Sequence, residues 1–191
     1  MRNLAILIFQ TLDGVMQAPG APSAGFPRGG WANDCWTDVM EQVVRKAMAE
    51  NYDVLLGRNT YNTFVSSFSD VAPGDPVADT LNRAKKYVVT SDIKDLSWKN
   101  TVKINGQDVA GEILKIKQED GPLIQVHGSW ELIQLLLSNQ LIDEFRIWTF
   151  PVVVGEGKRL FADGAVPTKL QLTQFEMSPS GALMHFYKRA V

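Results

Sequence analysis

The sequence has one cysteine, Cys35, and two histidines, His127 and His185. An internal disulfide is therefore excluded, in keeping with a reducing compartment. A closed tetrahedral zinc site of Cys and His ligands cannot be built either. No spaced carboxylate motif is present, so no metal is expected. Cys35 reads as a small buried or half-buried residue, because a catalytic thiol needs a histidine close by. Long apolar runs are also missing: Leu4 to Phe9 and Leu135 to Leu137 fall far short of a membrane span. The opening Met-Arg-Asn reaches Gln10 and Asp13 too soon for a secretory leader. With a net charge of -2 and no long run of like charges, the chain carries no electrostatic footprint for nucleic acid or an anionic membrane. A cytoplasmic protein with a small-molecule partner is the expectation, and a homodimer is compatible with it. No G-x-G-x-x-G or P-loop follows any apolar run, which removes the usual dinucleotide fingerprint and the nucleotide triphosphatases.

What remains is an ordinary globular composition: 191 residues, 45% apolar and 21% charged. That length suits one domain over residues 1–191. Strand signals fall at Asn3 to Gln10, Asp53 to Leu56, Lys86 to Val89, Thr101 to Ile104, Leu123 to Val126 and Phe145 to Val154. Helical periodicity marks Thr37 to Glu50, Arg58 to Val65, Asp108 to Gln118 and Trp130 to Asn139. The last segment, from Lys169 on, reads as two strands joined at Ser178-Pro179-Ser180-Gly181. Strands and helices in alternation predict an α/β fold in three layers. Its mixed sheet is mostly parallel, with about eight strands, about four helices and a C-terminal antiparallel hairpin. Between Thr11 and Trp36 lies a long Gly- and Pro-rich segment with neither period. Its aromatics Trp31 and Trp36 argue for an active-site lid rather than a floppy excursion.

In such sheets, ligands sit beyond the carboxyl ends of parallel strands, where helix N-termini offer unpaired N–H groups. The turns after the strands therefore hold the candidate chemistry. Gly57 permits close backbone approach, and Arg58 offers bidentate bonds to a phosphate. The hydroxyls of Thr60, Thr90 and Ser91 complete a cradle. Gly128-Ser129, opening a helix at Trp130, suits a diphosphate. Taken singly, each has an ordinary structural reading: Arg58 pairing with an acid, Ser129 as an N-cap, Asp13 as a turn aspartate, His127 as a satisfied core histidine, Lys158-Arg159 as a solvated pair. The functional reading rests on their sharing one sheet edge.

A set of short motifs then reaches a resemblance: Thr11-Leu12-Asp13-Gly14, Leu56-Gly57-Arg58-Asn59-Thr60-Tyr61, Val126-His127-Gly128-Ser129, Leu141-Ile142-Asp143-Glu144, and Pro151 through Gly155-Glu156-Gly157 to Phe161. Over nearly the whole chain it resembles the reductase domain at the C-terminus of the bifunctional riboflavin-biosynthesis deaminase-reductase, a family that shares the dihydrofolate reductase fold. The resemblance implies an NADPH-dependent reductase in stand-alone form. Gly57, Arg58 and Thr60 match the turn near the 2'-phosphate, and Thr90 and Ser91 match hydroxyl residues after the next strand. Gly128 and Ser129 match the turn under the diphosphate. Asp13 matches an acid at the substrate, with Thr11 beside it and Trp31 walling the pocket. Asp13, then Asp34 or Asp38, are the candidate catalytic carboxylates, and burial is expected to raise the pKa of such an acid. His127 stands where dihydrofolate reductases have a glycine. The implied substrate is a ribosylaminouracil phosphate; a pterin, or a non-catalytic dinucleotide-binding module, are the alternatives. Zinc-dependent pyrimidine deamination is excluded for this chain, which has no His-x-Glu with Cys-x-x-Cys.

Overall fold

A computed structural model describes residues 1–22, 25–92, 96–163 and 165–190. Eight strands form one sheet: β1 (Leu4–Thr11), β2 (Tyr52–Gly57), β3 (Lys86–Val89), β4 (Thr101–Ile104), β5 (Leu123–His127), β6 (Glu144–Phe150), β7 (Leu170–Met177) and β8 (Leu183–Arg189). Their order is β4-β3-β2-β5-β1-β6-β8-β7. The first six are mutually parallel, and β8 and β7 add as an antiparallel hairpin. The helices are α1 (Asp38–Ala49), α2 (Arg58–Phe68), α3 (Pro76–Arg83), α4 (Val109–Gln118) and α5 (Trp130–Ser138), with a 3-10 turn at Asn33–Cys35. None of the described helices is long and apolar enough to cross a membrane.

Alternation along each strand feeds two apolar layers. On one face Leu4, Ile6, Ile8, Ile124, Val126, Phe145 and Ile147 pack under α4 and α5 through Ile113, Leu132, Ile133 and Leu136. On the other, Trp148 and Phe150 meet Met40 of α1 and the loop residues Val15, Phe26 and Trp31. Beside them Val54, Leu56 and Val88 meet Met48, Tyr61, Leu81 and Trp98. Between α1 and the sheet runs a buried polar chain. Arg146 donates to Glu50 (2.9 Å) and to Gln125 Oε1 (3.1 Å), and Gln125 Nε2 lies 3.1 Å from His127 Nε2.

Two sequence expectations need correction. Helix α3 is additional to the expected set, although Asp75-Pro76 signals it. The Asp75 carboxylate accepts from Val77 N (2.9 Å) and Ala78 N (2.8 Å), and Pro76 opens the helix without wasting a donor. Strand β6 stops at Phe150 rather than Val154. Pro151 has no N–H for the ladder, and Val152 N turns back to Phe150 O at 2.8 Å.

The long segment after β1 is fastened as a wall. Val15 bridges Arg159, Met16 N donates to Lys158 O (2.9 Å), Leu160 N donates to Gly14 O (3.0 Å), and Trp31 Nε1 donates to Gln17 O (2.9 Å). Its exit is tied to the hairpin turn, where Thr37 and Ser178 hydroxyls are 2.6 Å apart and Ser180 Oγ donates to Cys35 O at 2.7 Å.

Candidate active site

Because β1 to β6 run parallel, Val89, Gly57, His127, Thr11 and Phe150 all end at one rim. The turns at Gly57 and Gly128 touch there. Gly57 N donates to Ser129 Oγ (2.8 Å), and Ser129 N donates to Thr60 Oγ1 (3.0 Å). Gly128 has φ +60°, and a Cβ on it would come within 3.1 Å of Thr60 Cγ2, so the close approach needs glycine. Side chains cap α1, α3 and α4, but none caps α2 or α5. The two helix starts at this corner are thus the ones whose N–H groups stay open to an anion.

Arg58 is the first residue of α2, a position where the helix dipole disfavours a cation. Its Nη2 lies 3.6 Å from Asp92 Oδ2 and its guanidinium 5.8 Å from the Tyr61 ring centre, yet Nε and Nη1 are buried without a hydrogen-bond partner among the described residues. A phosphate at the corner would satisfy both. Thr90 is buried and its hydroxyl accepts from Asp92 N (3.0 Å), while Ser91 is exposed. The two free guanidinium donors and the glycine cradle fit a phosphate-bearing dinucleotide, with Arg58, Thr90 and Ser91 on one side of the corner and Gly57, Thr60, Gly128 and Ser129 on the other.

Farther along the rim, Asp13 is fully engaged. Its carboxylate accepts from Thr11 Oγ1 (2.5 Å), Gly155 N (2.8 Å) and Val154 N (3.2 Å), with Arg159 Nη2 at 3.8 Å. The Thr11 hydroxyl, followed by the two backbone donors, holds its pKa below the ordinary carboxylate value, against an opposing desolvation. The expectation of a raised pKa is therefore corrected: hydrogen bonds to the charged form outweigh burial. Thr11 is used twice, since its hydroxyl also accepts from Val15 N (2.9 Å). Arg159 donates to Asp13 O (3.0 Å) and Gly155 O (3.2 Å), pinning the same turn.

Trp31 is buried, edge-on to Phe150 at 5.4 Å. The aromatic surface that reaches solvent belongs instead to Trp36, 39% exposed, which tilts over Phe9 at 5.7 Å. Phe9 in turn stacks on Trp148 at 4.9 Å. Sequence reasoning missed Phe9, although it lies two residues before Thr11 and so shares its face. Asp34, in the 3-10 turn, and Asp38 are exposed, with no side-chain ion pair among the described residues. His127 is neutral: burial, then the Arg146 charge, push its pKa down to about 4. Accepting from Gln125 at Nε2 leaves its proton on Nδ1. A cavity of about 150 Å3 beside Glu50, Glu144 and Arg146 lies at the opposite, amino-terminal end of β6.

An anion corner at the carboxyl rim of a sheet in this order defines an α/β protein of the dihydrofolate reductase fold. The RibD C-terminal domain model matches residues 2–184, and the chain belongs to that family. It is 27% identical to the uncharacterized protein YyaP of Bacillus subtilis (strain 168), over 97% of this chain and 94% of that protein. Its fold is similar to a diaminohydroxyphosphoribosylaminopyrimidine deaminase/5-amino-6-(5-phosphoribosylamino)uracil reductase from Thermotoga maritima, with a TM-score of 0.66 and 17% identity over 99% of this chain and 57% of that one. It is also similar to dihydrofolate reductase from Enterococcus faecalis, a structure complexed with NADP(H), with a TM-score of 0.63 and 14% identity over 99% and 97%. At these identities the likeness establishes the fold.

Proposed function

We propose that this protein is an NADPH-dependent reductase of a small heterocycle, of the 5-amino-6-(5-phosphoribosylamino)uracil class named for the Thermotoga relative. The observation that carries the reading is the pair of buried Arg58 donors, Nε and Nη1, left without a hydrogen-bond partner among the described residues at the uncapped start of α2, beside the Gly57–Ser129–Thr60 interlock that joins this turn to the start of α5. When bound, the nicotinamide supplies the hydride. The chain supplies grip and placement. Arg58 and the open N–H groups of α2 and α5 hold phosphates, Phe9 and Trp36 offer a stacking surface for a planar ring, and the wall after β1 limits water. Asp13, ionised and with its oxygens occupied, holds Val154 and Gly155 in position, and the proton that accompanies reduction comes from solvent.

Titration with NADPH and NADH, followed by tryptophan quenching in wild type and Arg58→Ala, tests this. NADPH should bind more tightly, and the substitution should remove most of the preference, about 1.5 to 3 kcal/mol for a lost charged contact. Equal affinities in wild type would overturn the assignment of Arg58. The full engagement of Asp13 also favours a second reading, a non-catalytic dinucleotide-binding module. Tight NADPH binding without oxidation by pyrimidines, pterins or quinones would select it.

A further inference from the structure

Arg58 does not have its corner to itself. Asp92, just past β3, sets its Oδ2 3.6 Å from Arg58 Nη2, and the two side chains are 38% and 23% exposed. The backbone of this acid is held on both sides. Asp92 N donates to Thr90 Oγ1 (3.0 Å), and Asp92 O accepts from Lys103 Nζ, which reaches across from β4. Thr90 is itself buried, and its N–H donates to the carbonyl of Ile104 (3.1 Å), the last residue of β4. Two strand ends therefore carry this carboxylate to the rim at a fixed place, beside the uncapped start of α2.

At 3.6 Å the ion pair is too long for a hydrogen bond, and it leaves Arg58 Nε and Nη1 unpartnered among the described residues. The acid nevertheless acts on whatever arrives. In dinucleotide sites generally, an arginine receives a 2'-phosphate, whereas an acidic side chain receives the plain 2'-hydroxyl. This corner holds one of each. A phosphate bound on Arg58 brings about two negative charges close to Asp92, in a place only partly open to solvent, and the like charges repel. A ribose hydroxyl brings no charge. A carboxylate accepts several hydrogen bonds at once, so Asp92 can add a hydroxyl to the partners it already has.

We propose that Asp92 is a specificity-determining residue: it lowers the affinity for NADPH, favours NADH, and so leaves the protein able to use both cofactors with a narrow preference. The inference rests on the NADPH reading of the Arg58 corner and deepens it, in that Arg58 sets the direction of the preference and Asp92 limits its size. The effect belongs to the charge of Asp92 and not to its bulk, because the ion pair with Arg58 is loose and the backbone bonds that fix the residue do not involve its carboxylate.

Titration of the whole chain with NADPH and NADH, followed by tryptophan quenching, tests this in wild type, Asp92→Asn and Asp92→Ser, with circular dichroism as the check on folding. Asparagine keeps the shape of the side chain and removes its charge. NADPH should bind Asp92→Asn about tenfold more tightly, the size expected for one like charge removed from a partly exposed site, while NADH binds no more tightly than before. The gain should shrink in about 1 M salt, where screening acts within about 3 Å, a change that a purely structural effect would not show. If Asp92→Asn does not fold, Asp92→Ser decides. An NADPH-to-NADH ratio that stays the same or narrows in the folded variants would overturn the proposal and leave Arg58 in its role. A wild type that binds neither cofactor would instead remove the reading of the corner, and this inference with it.

Discussion

Arg58 and Asp13 are two charges of the rim in opposite situations. Arg58 leaves two buried donors unpaired at a helix start that repels it. The Asp13 carboxylate accepts from the Thr11 hydroxyl and from the backbone N–H groups of Val154 and Gly155. Its depressed pKa has a definite consequence. An acid whose folded pKa lies below its unfolded value adds stability that is complete above the unfolded value, about 4, and is lost as pH falls through the folded one. Wild type should lose urea resistance below about pH 4, and Asp13→Asn should give a shallower acid limb together with about 1 to 2 kcal/mol lower stability at neutral pH. Urea midpoints measured from pH 6 down to pH 3 check this. The position of Gly57, Arg58 and Gly128 at the carboxyl ends of β2 and β5 was legible because each stands where an apolar run stops. The state of Asp13 was not, because its backbone partners Val154 and Gly155 lie 141 and 142 residues away in sequence.

Among the elements, β5 joins the core to the corner. Gln125 and His127 lie on the α1 face, and the strand runs into the left-handed Gly128. The folded His127 stays neutral down to about pH 4, while the unfolded chain takes up a proton near 6.5. Stability should therefore be level above about pH 6.5 and fall as pH drops toward 4. In His127→Gln, thermal melts across that window should show a flatter decline. The element pattern itself was readable wherever the apolar period was long, as in α1 and β1. It failed at α3, which runs only eight residues from Pro76 to Arg83, too short for periodicity to declare itself. It also ran too far at β6, because the run through Val152, Val153 and Val154 keeps the composition of a strand after Pro151 has ended the ladder.

Across the whole molecule, the segment between β1 and α1 and the segment between β6 and β7 lean on each other. Gly157 is the tightest point of that contact: its φ is +123°, and a Cβ would sit 2.8 Å from Val15 Cγ1 and 2.9 Å from Phe26 Cε2. Gly157→Ala should cost about 2 to 4 kcal/mol from strain and overpacking. Calorimetry should register that loss while NADPH affinity, which the proposed function sets at the Arg58 corner, changes little. None of this was legible in sequence, since Gly157 there is one turn glycine among several. What the sequence could convey was a long loop with aromatics near its end, enough to expect an active-site lid but not the hydrogen bonds that fasten it to the β6–β7 segment.

The β7–β8 turn has the look of a harmless surface tip, the sort of place chosen for splicing in an epitope. Its serines instead grip Thr37 and the Cys35 carbonyl, on either side of Trp36. A graft at Pro179 would therefore disturb the exposed Trp36 ring and its contact with Phe9 without altering either residue.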